Sequence, residues 1–467
     1  MKAKKLRAKD LVRRGFTKRA AGLAINVLTT RFRKAPAGET DAALVALLAD
    51  PDRFVGDADW DGVARAQGGV AAPAGGEVLH PEIRKAPPPF AVFDGEAGIA
   101  PNARQQLYDA MRLPVAVAGA LMPDAHHGYG LPIGGVLATK DAVIPYGVGV
   151  DIGCRMCLSV YDLPGELAET DQDRLAGMLQ RETAFGTDTH QSTNDHPVLH
   201  DDTFNVLPKA KTLRGKAGKQ LGSSGGGNHF VEFGVVNLPA GNPFGRPAGR
   251  FLALLSHSGS RGLGAQLAGH YTELAMSECR LPKQLRHLAW LDLNKDSGRE
   301  YWKAMTLAGD YASACHDDIH ARIGRALAEA AIVRVENHHN FAWKDTLADG
   351  TEVIVHRKGA TPAARGELGI IPGSMADPGY IVRGLGNAAS LKSASHGAGR
   401  HMSRSQAKSS ITGSSLRELL EQRRIHLIGG AVDEAPAAYK DIRQVIAAQD
   451  ELIEVLGTFH PKVVRMA

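Results

Sequence analysis

The stretch from Leu121 to Ser159, LMPDAHHGYGLPIGGVLATKDAVIPYGVGVDIGCRMCLS, constrains this chain more than any other part. It concentrates carboxylate, imidazole and thiol groups in a frame of glycines and short apolar runs. The run Ala142 to Val150 predicts a buried strand, and the turn Asp151-Ile152-Gly153-Cys154 at its end sets a carboxylate beside a thiol. Such a pair is the beginning of a metal site. Taken alone, an Asp-x-x-Cys is more often a turn former next to a small buried thiol, so the remaining ligands must come from elsewhere in the chain.

Three later segments repeat the pattern of a polar group delivered from a strand end. In QLGSSGGGNHFVEF, Gln220 to Phe233, three glycines that let backbone approach a ligand closely precede Asn228, His229 and Glu232, with His229 leading into a strand-like run. The apolar run Phe251 to Leu255 leads into HSGSRGLG, which carries His257 and Arg261. The short strand Ile332 to Val335 ends in ENHHNFAW, where His338 and His339 are adjacent and face opposite ways, so only one points into a site. Further on, SASHGAGRHMSRSQA sets His396, Arg400 and Arg404 among small residues, which argues against a core histidine. Ligands from four separate turns, Asp151 with Cys154, His229, His257 and His339, are what a dinuclear metal site draws on. With a glycine-rich loop and clustered arginines they point to metal-assisted phosphoryl or nucleotidyl chemistry.

The chain of 467 residues is long enough for two lobes or one large elaborated domain, and no apolar run approaches the length needed to cross a bilayer. Its start is basic without the apolar core of a secretory signal, so no membrane association and a cytoplasmic location are expected. Four cysteines do not make a disulfide framework, and the lone pair Cys154 and Cys157 does not complete a zinc knuckle. Met1 to Lys34 holds twelve Lys/Arg against one Asp, which suits a polyanionic partner or a solvated surface helix equally. Apolar spacing predicts one or two helices over Leu6 to Phe32, interrupted at Gly15 and Gly22, and another over Thr40 to Leu48. A Gly/Ala-rich linker, Gly68 to Gly76, places a boundary near residue 75. Further helices are expected over Asp171 to Glu182, Gln266 to Cys279 and Tyr301 to Ala330, with a polar loop before Val206 and a C-terminal helix running through Leu456. The organisation is α+β: a basic helical segment, 1–75, and a mixed α/β domain, 76–467.

The motifs MPDAHHGYGLPIGG, DIGC, GGGNHFVE, HSGSRGLG, HHN, HRKGAT, IPGSM, SHGAGR and DEAPAAYK, in this order from about Met122 to the end, resemble the RtcB RNA-splicing ligases. The resemblance implies the mixed α/β fold peculiar to that family, with a deep metal-lined cleft. It implies that Asp151, Cys154, His229, His257 and His339 hold two Mn2+ ions, with Cys154 bridging them as a thiolate. Ligand softness alone would have suggested zinc. His396 matches the nucleophile that attacks GTP, and His338 is left beside the ligand His339. Asn228, Glu232 and Ser374 match residues around the guanylate, as does the segment Gly397, Ala398, Gly399 and Arg400. The implied reaction joins RNA 3′-phosphate or 2′,3′-cyclic phosphate ends to 5′-hydroxyl ends through a histidine-guanylate, on tRNA halves or broken RNA. An archease-like activator is the protein partner the resemblance suggests. Arg261, Arg357, Arg400 and Arg404 are candidates for holding phosphates.

The chain departs from the family pattern in three places. Arg155 stands where a glycine usually follows DIGC, Ala376-Asp377-Pro378-Gly379 follows IPGSM, and the end reads Val464-Arg465-Met466-Ala467, with Arg465 in place of a lysine that reaches the nucleotide. A family member with altered nucleotide or end specificity, and a non-catalytic binder of RNA ends, are the competing readings.

Overall fold

The fold is that of a computed structural model, which describes residues 6–33, 37–69, 78–96, 98–186 and 195–467. The expected linker and the boundary near residue 75 fall mostly on 70–77, and part of the expected polar loop on 187–194, outside the described residues. The chain divides into two compact units, Met1–His80 with Glu273–Arg280, and Pro81–Thr272 with Leu281–Ala467.

The smaller unit is helical, with α1 (Ala8–Arg13), α2 (Lys18–Thr30), α3 (Ala37–Ala49) and α4 (Asp61–Gln67). Its apolar residues recur at helical spacing, and Leu11, Phe16, Ala20, Ala24, Leu47 and Trp60 meet in a core of its own. Gly15 ends α1, as its spacing predicts, whereas Gly22 lies within α2 without breaking it.

Two large sheets, with two further two-stranded ones, build the larger unit. The first orders Ala91–Val92, Ala116–His126, Ile133–Thr139, Glu352–Lys358 and Asn340–Thr346. The second runs Leu368–Ile371, Gly379–Gly384, Ile453–Met466, Phe230–Leu238, Gly249–Ser258, Arg155–Pro164 and Ala331–His338, with all these neighbours antiparallel. Its central strands read as apolar runs because both faces are covered: one packs on Leu175, Leu179, Ile319 and Ile323 of the helices Gln172–Glu182 and Asp296–Leu327, the other on Ile370, Ile381 and Phe459.

Two expected elements differ. Ala142 to Val150 is not one strand: pairing stops after Val143 and a helical turn occupies Pro145–Val148. Pro145 has no N–H for a ladder and a φ already suited to the first helical position. The C-terminal helix ends at Ala447, and Ile453–Met466 is a strand paired with Gly379–Gly384, Phe230–Leu238 and, in parallel, His426–Ile428. Its alternation of β-branched and aromatic residues suits a pleated sheet better than a helix.

Candidate active site

Sheet order carries the site. Cys154 immediately precedes the strand Arg155–Pro164, His229 precedes Phe230–Leu238, His257 lies near the end of Gly249–Ser258, and His339 follows Ala331–His338. These four strands are neighbours, and the register that sets Met156 and Phe230 opposite His257 and Arg155 opposite His338 brings their ends level. The four side chains, at positions 154, 229, 257 and 339, therefore converge from distant parts of the sequence, held by backbone ladders.

Cys154 Sγ lies 3.4 Å from His229 Nε2 and 3.2 Å from His257 Nε2. His257 Nε2 is 3.2 Å from His339 Nε2, and Asp151 Oδ2 is 3.0 Å from His229 Nε2. Asp151 is fixed by its other oxygen, which accepts the Ser260 N–H at 3.1 Å. His257 Nδ1 donates to the Asn228 carbonyl at 3.0 Å, so its Nε2 presents a lone pair to Cys154 and His339. The glycines make room: a Cβ at Gly225 would stand 1.9 Å from His229 Nδ1, and one at Gly259 2.1 Å from Asp151 Oδ1.

This donor set fits a divalent metal. Two imidazole nitrogens held at about 2.1 Å by a tetrahedral ion are roughly 3.4 Å apart, close to the spacings here. Burial, reinforced by neighbouring histidines, holds His257 and His339 well below the usual imidazole range, so both are neutral and ready to ligate. Burial first, then the Asp151 carboxylate, pushes the Cys154 thiol well above its usual range. A thiolate at this position needs a cation beside it. His229 Nδ1 and His339 Nδ1 are buried without a hydrogen-bond partner among the described residues.

The cluster opens on a cavity of about 1040 Å³ whose lining includes His257, His339, His396, Asn228, Glu232, Ser374 and Gly397 through Arg404. His396 Nδ1 donates to Asp124 Oδ2 at 2.6 Å, and the same oxygen accepts the His396 backbone N–H at 3.1 Å. The carboxylate thus keeps the proton on Nδ1 and leaves Nε2 a lone pair, with the His396 ring 5.0 Å from that of His339. Asp124 is fully buried; although burial pushes its carboxyl up, His396, His126 and Lys440 hold it below the usual range. Burial pushes His126 down to about 4, so it is neutral, its Nδ1 donating to the Asp124 carbonyl at 3.1 Å. Burial alone raises the Glu232 carboxyl well above the usual carboxylate range.

Other sequence candidates are distributed differently. Arg400 and Arg404 reach the cavity wall but are engaged: Arg400 with Glu434, Tyr439 and the Asp433 carbonyl, Arg404 with Asp433 and Glu434. Arg261 and Arg357 do not line it; Arg261 bonds Ser223 and the Gly186 carbonyl, and Arg357 is buried against Trp343, Ser393 and Leu391. Arg465 is likewise outside the lining, because its guanidinium donates to the Leu179 and Thr183 carbonyls at 2.6 and 2.9 Å and stacks on Phe185. Arg155 turns from the cluster into the sheet and helix behind it, where it pairs with Glu336 and donates to the Gly309 carbonyl at 2.8 Å. His338 packs on Phe341 and Trp343, so the two adjacent histidines do face different surroundings.

Sequence reasoning passes over Asp124, Asp433, Glu434 and Lys440, although each sits inside a quoted motif. Lys440 donates to the Gly98, Pro123 and Ala125 carbonyls and so braces the segment that carries Asp124. A second thiol and imidazole group, Cys157 with His316 and His320, is fully buried. Its ring nitrogens are matched by Ser256, Ser159 and the Ser258 carbonyl at 2.6–3.2 Å, so it is complete as a network of neutral hydrogen bonds.

A sequence model of the family described as tRNA-splicing ligase RtcB matches residues 106–210 and 205–466. The RNA-splicing ligase RtcB of Escherichia coli K12 is 34% identical over 414 residues, covering 80% of this chain and 96% of the relative. The RNA-splicing ligase RtcB of Mycobacterium tuberculosis is 32% identical over 417 residues, covering 74% and 96%. The tRNA-splicing ligase RtcB of Thermococcus kodakarensis is 30% identical over 401 residues, covering 71% and 83%.

Proposed function

Because the chain belongs to the RtcB family, we propose that it is a GTP- and Mn2+-dependent RNA ligase, joining 3′-phosphate or 2′,3′-cyclic phosphate ends to 5′-hydroxyl ends in tRNA splicing or RNA repair. The observation that carries this reading is the buried Asp124 carboxylate aiming His396 into the cavity that the thiol and imidazole cluster opens on. Asp151, Cys154, His229, His257 and His339 would hold the metal in a metal-lined cleft. The metal supplies positive charge against the negative charge that develops on phosphoryl oxygens.

In this reading His396 attacks the α-phosphorus of GTP with Nε2. The bond to pyrophosphate breaks, and Asp124 balances the charge gained by the imidazole. The histidine then passes GMP to an RNA 3′-phosphate, and an RNA 5′-hydroxyl displaces GMP as the phosphodiester forms. A cyclic phosphate is first opened by water. Glu232, with Asn228, Ser374 and Gly397 to Arg400, forms the guanylate wall. Residues 76–467 act as the catalytic domain and 1–75 as an accessory segment. The work is cytoplasmic, and an archease-like protein serves as activator.

Incubation with α-labelled GTP and Mn2+ tests the reading. An acid-labile protein label that disappears in His396→Ala is expected; no label with any nucleotide, with or without activator, overturns it. Altered nucleotide choice is a second reading, favoured by two observations: the Ser374 hydroxyl is taken by Asp377 at 2.6 Å, and Arg465 is turned away. Label from ATP in preference to GTP would select it.

A further inference from the structure

Charge in the small helical unit is segregated along the chain. Residues 6–33 hold eight Lys/Arg against Asp10, whereas 37–69 hold two Arg against seven Asp/Glu. Some of the cations are matched within the unit, Arg7 by Asp10, Arg14 by Asp41 and Arg31 by Asp59. Lys9, Arg13, Lys18 and Arg19 are exposed and form no ion pair among the described residues, although Lys9 lies near the Asp10 carboxylate. They flank the junction of α1 and α2.

That junction has the form of a helix-turn-helix. Four residues, Arg14 to Thr17, separate α1 from α2, with Gly15 at a φ of 108°. Gln67 locks the turn by donating to the Gly15 carbonyl at 3.0 Å and accepting the Thr17 N–H at 2.9 Å. Thr17 Oγ1 accepts the Ala20 N–H at 3.1 Å and so caps α2. Leu11, Phe16, Ala20, Ala21 and Ala24 face the core, which leaves Arg19, Gly22, Leu23, Asn26 and Thr30 on the outer face of α2.

Gly22 leaves this face of α2 without a side chain, as Gly38 and Gly62 do on α3 and α4. A glycine within a helix destabilises it by about 1 kcal/mol relative to alanine. Nothing in this unit requires it, because a Cβ at Gly22 would meet no atom within 4 Å. A residue without a side chain on an exposed, cation-flanked helix face is suited to the close approach of another molecule's backbone.

We propose that α1 and α2 form a docking surface for the phosphate backbone of a structured RNA. Lys9, Arg13, Lys18 and Arg19 hold the phosphates, and α2 approaches closely at Gly22. The choice of RNA rests on the proposed ligase reading; the cationic surface itself does not. Recognition is of phosphate and shape, as is usual for duplex RNA, and not of base sequence.

The test uses the full chain in which all four cations are changed to alanine. Binding to a stem-containing RNA is followed by fluorescence anisotropy across a salt series. Loss of four phosphate contacts lowers the slope of log affinity against log salt by roughly 3, and lowers affinity by about 10² at 0.1 M salt. Guanylylation of the protein by GTP should be unchanged. As a variant that cannot fail by losing the helix, Gly22→Gln should raise thermal stability and still weaken RNA binding. An unchanged salt slope, unchanged RNA affinity in Gly22→Gln, or preference for a DNA duplex over the RNA would each overturn the proposal. Because RNA binding is read directly, failure of guanylylation in the parent protein would count against the ligase reading alone.

Discussion

Replacing Asp124 by Asn isolates what the buried carboxylate does for His396. The carboxylate accepts from Nδ1 at 2.6 Å and from the backbone N–H at 3.1 Å through one oxygen. If the Asn oxygen keeps both contacts, only the charge is lost. A hydrogen bond to a charged group contributes roughly 1.5–3 kcal/mol against roughly 0.5–1.5 for a neutral one, and at 1.36 kcal/mol per tenfold in rate the difference of about 1–1.5 kcal/mol corresponds to a fall of about 5- to 13-fold. If the amide turns its NH2 toward Nδ1, the imidazole adopts the other tautomer, Nε2 carries the proton, and the loss reaches about 10⁴, as in a serine protease triad with the same change. Guanylylation should therefore slow by at least about fivefold in a single-turnover assay with α-labelled GTP, while metal content stays at the parent value, because Asp124 is not among the clustered ligands. A rate within threefold of the parent would refute the positioning role. Equal loss of metal and of rate would show instead that Asp124 supports the cluster as a whole.

Three further outcomes are expected. Gly225→Ala puts a methyl 1.9 Å from His229 Nδ1, so metal affinity should fall by about tenfold or more in a protein whose far-UV spectrum is unchanged; undiminished affinity in a metal titration would contradict it. Arg155→Gly removes the partner of a Glu336 carboxyl that is held down at about 2, although burial opposes this, chiefly by that guanidinium. Urea unfolding should show a loss of about 2–4 kcal/mol near neutral pH with metal content retained, and the deficit should shrink only as pH falls below about 4 toward 2, where Glu336 takes up its proton in the parent as well. Burial pushes the Lys358 ammonium down to about 7, against about 10.4 in an unfolded chain. The unfolded chain therefore holds the extra proton between these values and stability rises with pH across that window; Lys358→Met should flatten the rise in a thermal-shift series, and an unaltered slope would count against it.

The parts of the site that were legible in the sequence are those carried by local pattern. Apolar runs ending in Gly, His or Cys gave the strand ends on which Cys154, His229, His257 and His339 sit, and the period of two separated His338 from His339. What was not legible depends on partners distant in sequence. Nothing near Asp124 indicates that it meets His396, which is 272 residues away. Arg465 and Arg357 belong to phosphate-suited types, yet the structure uses their donors on backbone carbonyls. Pro145 was the local signal against a strand over Ala142 to Val150, and the apolar character of that run outweighed it. Similarly, Ile453–Met466 is a strand because Phe230–Leu238 and Gly379–Gly384 pair with it, a tertiary circumstance.

Placing the thiol and three imidazoles on the ends of four adjacent antiparallel strands also ties the site to the order in which the chain folds. The pairings that set Met156 opposite His257 and Arg155 opposite His338 close long loops, and such non-local pairings form slowly. No two of the four strands set a complete group of donors until the sheet has reached its final register, since a slip of one residue turns every side chain to the opposite face. Metal uptake would then report completion of the sheet, and the ion would bind the folded chain and disfavour register errors and unfolded forms by mass action.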